Sequence, residues 1–131
     1  AYASRVEVEA PKDCANAPRK QLLLNFNIAL AEADIEALLE WVDDDITWTL
    51  IGQDPVEGKQ GFTKALTGSG AEVARLKISN IITHGPTAAV EGELEMENGF
   101  RMAFCDVYRF TSAGSKAKIS SITAYVVGNP A

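Results

Sequence analysis

Between Leu76 and Val127 the chain repeats one pattern four times, a stretch of alternating apolar and polar residues closed by a turn signal. The stretches are Leu76 to His84, Ala88 to Glu97, Arg101 to Thr111 and Lys118 to Val127, and the breaks are Gly85-Pro86, Asn98-Gly99 and Ser112 to Ser115. A period of two with turns this short predicts strands that pair antiparallel with their sequence neighbours, because a parallel pair needs a crossover of about a dozen residues or more. A parallel, nucleotide-binding sheet is thereby argued against, and the glycine-rich phosphate loop that would accompany one is missing.

The first half of the chain has the helical period. From Pro18, which suits a first helical turn, Leu22, Leu23, Phe26, Ala29 and Leu30 recur three and four residues apart. Asp34 caps a second, shorter helix that carries Ile35, Leu38 and Leu39 and runs through Trp41, with the acidic run Asp43 to Asp45 expected to close it. Ile46 to Ile51, rich in β-branched and aromatic residues, is a strand candidate; Gly52 to Gly58 reads as a loop, Lys59 to Leu66 as a third short helix and Thr67 to Gly70 as its flexible end. Helices followed by hairpins give an α+β fold in which one mainly antiparallel sheet curls over the helices. Residues 1–16, broken by Pro11, read as an arm ahead of a single domain spanning 17–131.

Composition narrows the functional classes. At 131 residues and 47% hydrophobic content the chain can bury one real core. A net charge of -6 with scattered Lys and Arg excludes the basic face that nucleic acids and anionic membranes require. No apolar stretch approaches the roughly 20 residues that span a bilayer, since Gln21 to Ala31 is interrupted by Asn25 and Asn27, so a soluble protein is expected. Cys14 and Cys105 lie far apart without a C-x-x-C spacing and read as free thiols. The chain opens on Ala1 with neither a charged n-region nor an apolar h-region, so the expected location is the cytoplasm, a cleaved signal peptide being the alternative. His84, the single histidine, leaves no histidine-based metal cluster, and neither a metal nor another cofactor is expected.

One carboxylate is out of place. Along Phe100 to Phe110 one face reads Phe100, Met102, Phe104, Asp106, Tyr108, Phe110, and the other Arg101, Ala103, Cys105, Val107, Arg109. An Asp in the oiliest stripe of the chain is either tied down by donors or protonated by desolvation, and the second state makes it a candidate general acid or base. The preceding strand carries Glu91, Glu93, Glu95 and Glu97 on one face. A two-residue turn at Asn98-Gly99 would set Glu91 opposite Asp106 as a carboxylate pair. A three-residue loop instead matches Leu94 and Met96 with the Met102 and Phe104 face and leaves the glutamates in solvent, and apolar matching favours it.

The run Ala33-Asp34-Ile35-Glu36-Ala37-Leu38-Leu39, then Asp44-Asp45-Ile46-Thr47-Trp48, then Pro55-Val56-Glu57-Gly58 before a helix, then Asp106-Val107-Tyr108-Arg109-Phe110 resembles the nuclear transport factor 2-like superfamily. More narrowly it is similar to the SnoaL-like domains, relatives of ketosteroid isomerase and polyketide cyclases. The resemblance implies a cone-shaped α+β barrel, three N-terminal helices on a curved sheet, a pocket between them, and commonly a homodimer through the outer sheet face. It lays the isomerase's oxyanion-donating aspartate on Asp106. The isomerase's general base falls on Leu50 and its oxyanion tyrosine on Phe26, so steroid isomerisation by that mechanism is not expected. The Arg and two Asp of related epoxide hydrolases are not recognisable either, with Ala124 at the last-strand position. Cyclases of the SnoaL type place an acid-base aspartate on this sheet, a role Asp106 fits.

The expected protein therefore binds a small hydrophobic molecule in an apolar pocket lined by Phe26, Trp48, Leu50, Met102, Phe104 and Tyr108, with Asp106 as polar anchor and candidate catalytic group in isomerase, cyclase or hydrolase chemistry. The alternative is a non-catalytic dimeric module in which the pocket is a filled core and Asp106 is held by backbone or tyrosine donors.

Overall fold

The computed structural model describes residues 6–12, 17–68 and 72–129. Cys14, the outermost part of the arm and the Ser69-Gly70 end of the third helical segment lie outside the described residues. The elements are β1 (Glu7–Glu9), α1 (Pro18–Glu32), α2 (Ile35–Trp41), β2 (Val42–Leu50), β3 (Val56–Glu57), α3 (Gly58–Thr67), β4 (Val73–His84), β5 (Thr87–Met96), β6 (Arg101–Phe110) and β7 (Ile119–Asn129). Among the described residues three helices pack on one seven-stranded sheet of order β1-β4-β5-β6-β7-β2-β3. It is a mostly antiparallel, curved sheet that stays open, with β1 and β3 at its edges and β6 in the middle.

The helices start and stop where local chemistry dictates. Pro18 occupies the first turn of α1, where its missing N–H costs nothing, and Ala33 ends the helix in the left-handed region at φ 57° with its N–H returned to Ala29 and Leu30. The Asp34 carboxylate accepts the Ala37 N–H at 3.3 Å and so caps α2. Leu23, Phe26, Leu38 and Phe62 from the helices meet Ile46, Tyr108, Ile119 and Ile122 from the sheet in the fully buried core. No helix among the described residues is long and apolar enough to cross a membrane.

Two local expectations are corrected, and the arm carries a short strand. The acidic run does not close α2; it lies within β2, which begins at Val42. Val42 pairs with Ile119 and Thr47 with Ser121, so five steps on β2 face two on β7, and the irregularity pushes Asp44 and Asp45 into solvent while Val42 and Ile46 stay buried. Val56 and Glu57, expected in a loop, form the short edge strand β3 against Thr47 and Trp48. Within the expected arm, Glu7–Glu9 pairs parallel with Arg75–Lys77 as β1, and Val6 is buried beside it.

The β5–β6 hairpin takes the three-residue loop. Leu94 pairs with Met102, Gly92 with Phe104, Glu91 with Cys105 and Val90 with Asp106, so the glutamates point away from Asp106. Gly99, at φ 91°, supplies the left-handed residue this loop needs, while the Met96 N–H and carbonyl bond Phe100 and Gly99. On its other side β5 meets a bulge in β4: Ile78 pairs with Gly92 and Asn80 with Glu91, leaving Ser79 without an opposite residue.

Candidate functional site

The strand registers assemble the site in rows across the inner face. One row reads Leu50, Ala124, Asp106, Val90, Ile81 from β2 to β4, and the next reads Trp48, Ile122, Tyr108, Ala88, Thr83. Asp106 thus has Ala124 and Val90 beside it and Phe104 and Tyr108 two residues away along its own strand. It is 8% exposed. The only side-chain hydrogen bond it receives among the described residues comes from the Tyr108 hydroxyl, which donates to Oδ2 at 3.5 Å.

At 3.5 Å that bond is near the limit of what counts as one, so it does little to hold a negative charge. Burial dominates, and the Asp106 carboxyl is pushed from 3.8 up to about 7, with the tyrosine donor pulling weakly the other way. Tyr108, fully buried and beside this carboxyl, is raised well above the usual phenol range and stays a donor. Cys105, the next residue on the strand, projects to the opposite face; partial burial, then Asp106 and Glu91, push its thiol up, so this free cysteine keeps its proton.

A third polar group completes the cluster. Asn27 on α1 is buried, and its Nδ2 donates both to the Leu23 carbonyl at 2.8 Å and to the Tyr108 hydroxyl at 3.1 Å. Sequence reasoning registered Asn27 only as an interruption of an apolar run. The stronger signal was its position four residues after Leu23 on the core stripe of the helix, where an amide must find buried partners. Asn25, the other interruption, faces solvent and accepts from Gln21.

The other expected site residues divide by environment. Phe26 is fully buried and meets the Tyr108 ring edge-on at 6.0 Å. Phe104 is buried, whereas Trp48, Leu50 and Met102 are half-buried on the same sheet face. Trp48 packs edge-on against Phe62 of α3 at 5.3 Å. Tyr125 stands exposed on the outer face. Among the described residues no group of three or more His, Cys, Asp or Glu side chains is gathered to hold a metal ion.

A groove of about 410 Å³ opens at the β1 end of the sheet, with Glu7, Arg75, Glu95 and Arg101 in its wall. These residues already pair with one another, Arg75 to Glu7 at 3.2 Å and Arg101 to Glu95 at 3.3 Å, on the face opposite Asp106. The buried Asp106 carboxyl lies on the inner face, not in this groove.

The family model for SnoaL-like domains matches residues 24–119. Among solved structures, a nuclear transport factor 2-like protein of unknown function from Burkholderia xenovorans is 16% identical, with 88% of each chain covered and a TM-score of 0.75. The epoxide hydrolase/cyclase-like enzyme SalBIII, which takes part in pyran ring formation in the polyether salinomycin, is 22% identical over 86% of this chain and 93% of its own, at a TM-score of 0.71. A de novo designed protein with a curved β-sheet is 19% identical over 86% of this chain and 88% of its own, at 0.68. A search of curated proteins returned no significant match. Natural and designed chains share this architecture, so the fold by itself names no activity.

Proposed function

This chain belongs to the SnoaL-like domain family, and from that membership we propose that it binds a compact hydrophobic molecule bearing a carbonyl, hydroxyl or epoxide oxygen against the inner sheet face, with Asp106 as its acid-base group. The observation that carries this is the setting of Asp106: an apolar row, one long hydrogen bond, and a pKa lifted to about 7 by burial. A carboxyl tuned there is populated in both protonation states near neutrality, so it can give a proton to an oxygen or take one from an activated carbon. Trp48, Leu50 and Met102, half-buried on this face, would supply the apolar contacts that bring such a molecule to it, with Phe26, Phe104 and Tyr108 packed behind them.

The reaction classes supported are isomerisation, cyclisation and epoxide opening by proton transfer. The SnoaL-like membership favours cyclisation over steroid isomerisation, because the resemblance lays Leu50 and Phe26 where that mechanism needs a base and a second donor, and over epoxide opening by the hydrolase mechanism, whose Arg and two Asp are not recognisable. The test is a screen of carbonyl and epoxide compounds followed by Asp106→Asn, which is expected to lower turnover of any substrate found by about 10²-fold or more. A rate limited by Asp106 as acid falls as pH rises through about 7, and one limited by it as base rises over the same window. Unchanged turnover in Asp106→Asn removes the acid-base role.

A second observation favours a dimeric state of the same domain. On the outer sheet face Val107 and Tyr125 are exposed, Ile82 is 58% exposed and Val127 69%, an apolar stripe across β4, β6 and β7. Two copies joined there would cover it. Sedimentation is expected to give twice the chain mass for the native protein and the single-chain mass for Val127→Lys; a native protein that stays monomeric at every concentration excludes this interface.

A further inference from the structure

The hydrogen bonds of Asn27 and Tyr108 have a direction, and it follows from the donors and acceptors available. The Leu23 carbonyl can only accept, so the Asn27 side chain must turn its NH2 toward it at 2.8 Å. That choice places the same nitrogen 3.1 Å from the Tyr108 hydroxyl, which therefore receives a hydrogen there and must send its own proton elsewhere. The acceptor in reach is Asp106 Oδ2 at 3.5 Å. A helix carbonyl thus orients an amide, the amide orients a phenol, and the phenol selects one oxygen of the carboxyl.

We infer that Asn27 is a positioning residue for Asp106, turning the tyrosine proton onto Oδ2 so that an incoming acid proton resides on Oδ1, the oxygen left to meet a bound molecule. Among the described residues no hydrogen bond reaches Oδ1. In the protonated state Asp106 then presents Oδ1–H outward, as a donor to an acceptor oxygen on the ligand, rather than losing that proton inward to the tyrosine. In the ionised state the long tyrosine bond falls on Oδ2, which leaves the more basic lone pair on Oδ1. Without the amide, the phenol is free to accept instead of donate, and the carboxyl proton can settle on Oδ2, where it serves no ligand. The role toward a ligand rests on the function proposed for Asp106; the direction of the hydrogen bonds does not.

The groups facing Asp106 bound the experiment. From β5 it meets Val90, from β7 Ala124, and along β6 Phe104 and Tyr108, and among the described residues Tyr108 is the one titratable side chain that acts on it; Cys105 and Glu91 lie on the other face. The test is the Asp106 carboxyl titration followed by carbon-13 NMR, assigned with Asp106→Asn, in native protein, Asn27→Leu, Tyr108→Phe and the double variant. Asn27→Leu is expected to raise the Asp106 pKa by about half a unit, roughly threefold in the proton equilibrium, and Tyr108→Phe by at least as much. The double variant is expected to match Tyr108→Phe alone, since Asn27 acts through the phenol. Asn27→Ser provides a milder removal of the donor, because a serine can bond back to the Leu23 carbonyl without reaching Tyr108. An unmoved Asp106 pKa in a folded Asn27 variant, or an equal increment with and without Tyr108, overturns the assignment. The titration contains no ligand, so a failed compound screen counts against the function alone and an unmoved titration against the positioning alone.

Discussion

Gly92→Ala is expected to destabilise the protein by about 4 kcal/mol or more, a large share of the roughly 5–15 kcal/mol that holds a domain folded. A Cβ built on Gly92 would sit 2.1 Å from the Lys77 carbonyl oxygen and 3.0 Å from the tip of the Phe104 ring. The second contact could be relieved by a small ring movement. The first cannot, because the oxygen belongs to the backbone of β4 at the bulge, where Ile78 pairs with Gly92 and Ser79 is left over. Making room means pulling β4 from β5 at the point where the sheet bends, which breaks ladder bonds and opens the core behind them. Gly99→Ala is the control: a Cβ there meets nothing within 4 Å, so its cost is the left-handed φ of 91° alone, about 1 kcal/mol. Denaturant unfolding of the two variants side by side checks this, and equal losses would mean that the close approach at Gly92 is not what the sheet depends on.

Stability is expected to fall by about 3 kcal/mol between pH 5 and pH 8 on account of one residue, Asp106. The carboxyl is raised from 3.8 to about 7 by folding, so between those values the unfolded chain has released a proton that the folded chain keeps. Stability then declines with rising pH, since the slope follows the protons bound unfolded minus those bound folded. The contribution is complete below 3.8 and gone above about 7, and each pH unit in between carries roughly 1.4 kcal/mol. Asp106→Asn removes it, and the variant is expected to be the more stable protein at pH 8. Chemical denaturation of both proteins at pH 5 and pH 8 isolates the effect from the other carboxylates, which are common to both. A difference between them that does not change with pH would mean that Asp106 is ionised throughout and held by donors.

Most of the fold and part of the site were legible in the residues, and the divide follows sequence distance. The hairpins β4 to β7 and helices α1 to α3 are built from local periodicity, and the alternation along Phe100 to Phe110 places Asp106 on the buried face without reference to anything else. The β5–β6 register was available as well, because matching Leu94 to Met102 buries apolar surface that the alternative would expose. What could not be read depends on partners far along the chain. Glu7–Glu9 becomes a strand because β4 offers an edge, and Asp43 to Asp45 joins a strand because β7 holds Val42 and Thr47 on either side of it. The Asn27 bond to Tyr108 spans 81 residues, and neither residue's neighbours announce the other. The tight approach at Gly92 is also invisible locally, since its cause is a carbonyl on another strand.

The position of β6, fourth of seven strands and bonded on both sides for its full length, determines how the protein can adapt. Amide hydrogens in the middle of a sheet exchange only when a large part of the molecule opens, whereas edges and helix ends exchange by local fraying. Asp106 and Tyr108 are therefore mounted on a strand whose amides are expected to be among the last to exchange, and the bond from Asn27 to Tyr108 ties α1 to it. Under the function proposed above, a ligand would meet a carboxyl whose surroundings persist until much of the sheet opens.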